Sequence, residues 1–302
     1  MTAMTASSIA LLLLGAWSAP NDADVDARVR APKGSVGDRV VAVTEPFVGA
    51  PYRLSPLGEG PGNKPDDDPR IRFDAFDCTT FVETAIALTW ADDLAQAKRL
   101  IDFVRYQDGE PTYLKRRHFP EAEWIPQLEK LGFLRDITKN VGGDDVTIAS
   151  KTINLAVWKR SSNEHTPKLP DDRIPNGTFS LTMWPLKDVE KHFDKIPAGT
   201  IMHIVRVDFS NEPVRVSHQG IVIEKNGKKY LRNAADRLYH HVVDEPLEHF
   251  FHRMDQYTLW PIAGVHLTLM TEPPDWRTWL KSAPSPATPS PAAPAAPTAA
   301  AQ

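Results

Sequence analysis

The sequence predicts a fold that combines helices with antiparallel strands, and three stretches predict it. Around the only cysteine of 302 residues, Asp77-Cys78-Thr79-Thr80-Phe81-Val82-Glu83 sets a capping residue ahead of apolar side chains at helical spacing. Asp92 to Val104 repeats that spacing through Leu94, Ala97, Leu100, Ile101 and Val104. From Thr200 onward strand-like runs take over, and Asn226-Gly227 between two of them is the strongest short hairpin turn in the chain.

Taken in order, Ile9 to Trp17 is an apolar run too short to span a bilayer. Small residues follow it, so residues 1–19 read as a cleaved secretory leader, although no Lys or Arg precedes the run. The protein is therefore expected outside the cytoplasm, in the periplasm, cell envelope or medium, with no stable membrane insertion once the leader is removed. Asp38 to Thr44 forms a short helix that Pro46 stops. Arg53 to Arg72, rich in Gly, Pro and Asp, is a long loop that could border a substrate groove, and its Asp66-Asp67-Asp68 triplet lacks the pattern of a calcium loop. Arg116 and Arg117 read as surface charges, either of which would suit a peptide carboxylate. Trp124 to Leu131 is helix-like, 139–176 carries no clear period, Glu164 to Gly177 is loop, and Asp188 to Phe193 is a helical turn. Ile201 to Phe209, Val214 to Ile223 and Lys228 to Ala234 are strands. Ser282 to Gln302 holds only Ser, Ala, Pro, Thr and one Gln and cannot build a core. The organisation expected is a leader (1–19), a single catalytic domain (20–275) with inserted helices and loops around 105–195, and a disordered Pro/Ala-rich tail (276–302).

A net charge of −4, with 35 basic residues scattered among 39 acidic ones, leaves no basic stripe and excludes a nucleic-acid partner. Cys78 would be the first helical residue, where free N–H groups and the helix dipole stabilise a thiolate and an oxyanion. An unpaired thiol in an oxidising compartment points the same way, whereas a lone cysteine is otherwise commonly just a small buried residue. With Asn226-Gly227 as the loop, Ile223 faces Tyr230, Gly220 faces Asn233 and His218 faces Ala235. That register sets His218 and Asn233 diagonally on one side of the sheet and Asp236 on the other. Cysteine, histidine and an amide that orients the ring make up a Cys-His-Asn hydrolase, set against a half-buried strand histidine bonded to backbone. His240, His241, His249 and His252 offer a metal alternative, but Phe250 and Phe251 make that stretch read as a packed helix.

Gly49-Ala50-Pro51-Tyr52, Phe76-Asp77-Cys78-Thr79-Thr80-Phe81 and Val216-Ser217-His218-Gln219-Gly220-Ile221 together resemble the NlpC family of papain-like cell-wall cysteine hydrolases. Arg105 to Gly109, Arg117-His118-Phe119, Trp124 and Asp136-Ile137-Thr138 look like its N-acetylmuramoyl-L-alanine amidase-like subgroup, and the likeness spans roughly residues 37 to 265. The resemblance implies a papain-like α+β core with the cysteine helix packed on an antiparallel sheet. It implies Cys78 as nucleophile, His218 as base and Asn233 as the orienting residue. Tyr52 is implied at the oxyanion or substrate, with Arg117 and Trp124 as further substrate-side residues. Arg53-Leu54 departs from the aromatic and paired glycines of many relatives. The activity implied is an amidase or peptidase on peptidoglycan or muropeptides, acting without a cofactor and as a monomer. Lipid or peptide acyl transfer on the same Cys-His site and a non-catalytic wall-binding module are the alternatives.

Overall fold

The computed structural model describes residues 17–31, 34–161 and 168–282. Helices α1 (Asp22–Arg30) and α2 (Val36–Thr44) lead through a long irregular stretch to α3 (Cys78–Trp90), α4 (Leu94–Arg105) and α5 (Ile125–Leu131). Then come β1 (Leu134–Asp136), α6 (Thr138–Gly142), β2 (Thr147–Ile153), α7 (Leu155–Ser161), β3 (Gly177–Pro185) and α8 (Leu186–His192). The chain closes with β4 (Thr200–Arg206), β5 (Val216–Lys225), β6 (Lys228–Ala235), β7 (His241–Pro246), α9 (Leu247–Asp255), β8 (Ile262–Met270) and α10 (Trp276–Ser282).

These strands form one antiparallel sheet in the order β2-β3-β8-β4-β5-β6-β7, with β1 also paired to β8. Side chains alternate between its two faces. Ile201, Val205, Ile221, Ile223 and Ala234 join one apolar cluster with α2, α3 and α4. Met202, Ile204, Val222 and Leu231 join a second with Val189 of α8 and Phe250 and Phe251 of α9. Helix α3 therefore lies between the sheet and the other N-terminal helices, and every residue from Thr80 to Trp90 is buried. Helical spacing accounts for one apolar face of α3; its enclosure on all sides beyond the first turn comes from the helices and sheet packed around it.

Several charged groups inside this core are paired. Glu83 of α3 receives Arg105 of α4 and, at 3.0 Å, the Trp124 indole N–H. Arg105 also donates to the Leu57 carbonyl at 3.1 Å, and the Tyr106 hydroxyl to that of Gly58 at 3.0 Å. Arg116 bonds Glu59 and Asp66 at 2.5 and 2.8 Å. The loop from Arg53 to Arg72 is thereby tied to α4, and Arg116 is a tether within the fold, not a free surface charge. Arg232, fully buried on β6, holds Asp244 at 2.6 Å, Glu45 at 2.5 Å and the Thr44 hydroxyl at 2.9 Å, joining β7 to the end of α2.

Two expectations need correction. Within the stretch around 105–195, where inserted helices and loops were expected, β2 and β3 pair from Thr147↔Met183 to Ile153↔Gly177. The boundary at residue 275 falls short of α10, whose Trp276 is fully buried against the core. Trp17, inside the stretch read as leader, donates its indole N–H to the Pro46 carbonyl at 3.1 Å. The remainder of the expected leader (1–16) and the tail from 283 lie outside the described residues. No helix among the described residues is long and apolar enough to cross a membrane.

Candidate active site

Cys78 owes its place to its neighbour. Asp77 is extended and caps α3: its Oδ1 accepts from the Thr80 N–H at 2.7 Å, and Thr80 Oγ1 accepts from the Asp77 N–H at 3.0 Å. Asp77 Oδ2 accepts from the Ser55 N–H at 2.8 Å, so one carboxylate fixes both the helix start and the strand-like segment before it. In that segment Tyr52 bridges Phe76 and donates its N–H to the His240 carbonyl at 2.8 Å, and its side chain lines the same cavity as the thiol.

His218 and Asn233 come from the hairpin. Asn226 and Gly227 take the positive φ values, 52° and 71°, that a tight two-residue turn demands. Pairing runs from Lys225↔Lys228 through Ile223↔Tyr230 to Ile221↔Arg232 and stops there. Past that point the two strands are joined by side chains: His218 Nε2 meets Asn233 Oδ1 at 2.9 Å. Asn233 Nδ2 donates to the Leu231 carbonyl at 3.1 Å, which fixes its amide so that Oδ1 faces the ring. The imidazole therefore carries its proton on Nε2 and keeps Nδ1 as the basic nitrogen. Gly220 allows this approach, since a Cβ there would stand 2.8 Å from Asn233 Cβ.

Cys78, His218, Asn233 and Tyr52 line one cavity of about 340 Å³. The thiol lies 3.9 Å from Thr79 Oγ1, with the backbone N–H groups of Gln219 and Thr79 directed at it, while the His218 ring is committed to Asn233. Both groups are half open to the cavity yet crowded by protein on their other sides. Burial, reinforced by the Asp77 carboxylate, pushes the thiol up to about 12. Burial, partly offset by the Asn233 bond, pulls His218 down to about 4. At rest the thiol and the imidazole that share this cavity are thus both neutral. Burial, together with the charges of Asp77 and Asp236, raises Tyr52, so its hydroxyl stays a proton donor.

Residues 42–258 match the AmiA-like family, described as N-acetylmuramoyl-L-alanine amidase-like. The chain belongs to this family. Among solved structures, a Legionella pneumophila protein is 24% identical with a TM-score of 0.72, covering 84% of this chain and 98% of its own. An N-acetylmuramoyl-L-alanine amidase of Bacteroides uniformis is 20% identical with a TM-score of 0.63, covering 79% and 100%. At such identities these likenesses concern the fold. No curated protein matches the chain in sequence. The stretch matched to the AmiA-like family contains all four cavity residues named above.

Arg117 and Trp124 do not reach this cavity. Arg117 is buried, donating to Gln127 Oε1 and to the Phe103 and Val104 carbonyls, each at 2.9 Å. Trp124 is buried with its ring 5.9 Å from that of His203. Both motif positions build the core behind α3. Asp236 departs the other way: β6 ends at Ala235, strand alternation ceases, and Asp236 lines the cavity. His249 and His252 lie on the exposed side of α9, whose Phe250 and Phe251 are buried. The three-residue group arranged like metal ligands among the described residues is elsewhere, at Glu129, Asp136 and His266. Its His266 Nδ1 already donates to the Thr182 carbonyl at 2.8 Å. Residues missed from sequence were Arg206, Ser217, Arg237, Arg253, Tyr257 and Trp260. A signal existed in the basic and aromatic residues flanking each strand end.

Proposed function

We propose that this protein is an exported cysteine amidase of papain-like, NlpC-type architecture that hydrolyses the N-acetylmuramoyl-L-alanine bond, or a nearby stem-peptide amide, of peptidoglycan. The observation that carries the reading is the opening of Cys78, at a capped helix start, and the His218–Asn233 couple onto one cavity. The family supplies the class of bond.

Since the resting pair is neutral, His218 Nδ1 takes the thiol proton as Cys78 Sγ attacks the amide carbonyl. The oxyanion is met by the Cys78 N–H at the first turn of α3 and by the Tyr52 hydroxyl. His218, now cationic, returns the proton to the leaving amine, and the bond to Asn233 keeps its ring angle through both transfers. A water activated by the same nitrogen then cleaves the thioester. Mass analysis of purified muropeptides incubated with the protein tests the reading. Release of the intact stem peptide from the sugar is expected. Unchanged muropeptides would contradict it, and transfer of the acyl group to an added amine without hydrolysis would favour an acyltransferase.

A further inference from the structure

Resting on the amidase reading, we propose that the same cavity holds a carboxylate-binding subsite, formed by Arg206 and Arg237 around Tyr257, which selects acyl-peptide substrates carrying a free carboxylate. Three arginines line the cavity against a single acid, Asp236. Arg253 is already matched, because Glu245 accepts from it at 3.0 and 2.7 Å. Asp236 lies 3.9 Å from His240 and pairs with neither remaining arginine. Among the described residues, Arg206 and Arg237 have no carboxylate within 4.0 Å.

Arg206 is held for a purpose other than charge pairing within the chain. Its Nε donates to Ser217 Oγ at 2.7 Å and its Nη1 to the Trp260 carbonyl at 2.6 Å, leaving Nη2 as an uncommitted donor. Its guanidinium stands 5.1 Å from the Tyr257 ring centroid and 5.5 Å from that of Trp260. Arg237 stands 5.8 Å from the same Tyr257 centroid. Two cations sharing one ring repel each other, and burial with that repulsion already lowers Arg206. Such a pair is stabilised by an anion placed between them, and a planar carboxylate is the one a peptide substrate supplies. Ser217 adjoins His218 in the chain, so the subsite and the base ride on one strand end.

The test compares N-acetylmuramoyl-L-alanyl-D-glutamate with the same compound bearing both glutamyl carboxyls as carboxamides. Binding is read by calorimetry on Cys78→Ala protein, and turnover on the wild type. The acid is expected to bind about 10- to 100-fold more tightly than the diamide, the range for hydrogen bonds to a charged group. Arg237→Gln, an exposed change, should weaken the acid and leave the diamide unaffected, and adding Arg206→Lys should bring the ratio near one. Equal binding of acid and diamide to Cys78→Ala, or a preference undiminished in the double variant, overturns the subsite. Preferential binding of the acid without turnover by the wild type would keep the subsite and sink the amidase reading instead.

Discussion

His218 is where the chemistry meets pH. Burial holds its imidazole at about 4, and in the proposed mechanism the neutral ring is the form that accepts the thiol proton. As pH falls through that value the ring gains a proton and the base is lost, so kcat/KM should stay flat through neutrality and weak acid and fall to half near pH 4. An acid limb centred near 6.5, the value of an unburied ring, would show that the ring is not enclosed in the working enzyme. Asn233 acts on the same ring. Asn233→Ala leaves a half-buried Nε2–H without its acceptor and frees the ring to turn, so kcat should drop roughly 10- to 1000-fold while KM moves little. An effect confined to KM would make Asn233 a substrate contact. Asp236, which strand alternation would have set on the other side of the sheet, lines the cavity.

Among the elements, α3 is the one on which the site depends, and its hold is the ion pair it buries. Arg105→Met would leave the Glu83 carboxylate enclosed beside Trp124 with no cation, at a cost of about 3 to 5 kcal/mol in denaturant unfolding. Adding Glu83→Gln removes the stranded charge and should recover part of that loss. A full, additive loss in the double variant would place the stabilisation elsewhere. The start of α3 was legible in sequence because a cap is local: Asp77 and Thr80 are three residues apart and satisfy each other. The hairpin was legible for the same reason, since Asn226-Gly227 sets the register by its own backbone geometry. Glu83 was not, because its partners Arg105 and Trp124 lie 22 and 41 residues away and no local pattern joins them. Trp124 and Arg117 illustrate the opposite error: a motif position marks that a residue is needed, and here the need is packing behind α3. Strand β2 was hidden because its side-chain types run against its burial: Lys151 is buried and Ile148 is exposed.

Across the whole molecule, two sheet faces are closed by different helices, and the cavity forms where β5 and β6 stop pairing near the start of α3. That division explains how one hairpin serves both layers: Ala234 packs toward α3 while Leu231 packs toward α9, with His218 and Asn233 bonded at the parting. The two-sided packing was not readable from β4, whose residues Thr200 to Val205 are all buried and show no alternation. The central claim is that Cys78 attacks the amide, and turnover of a muramoyl-L-alanine substrate by Cys78→Ala tests it most directly, read beside thermal unfolding of the same protein. The side chain removed is small and sits in the first turn of α3, so unfolding within a few degrees of the wild type is expected, with hydrolysis reduced to background. A Cys78→Ala protein that unfolds like the wild type and still cleaves at a rate near it would contradict the account.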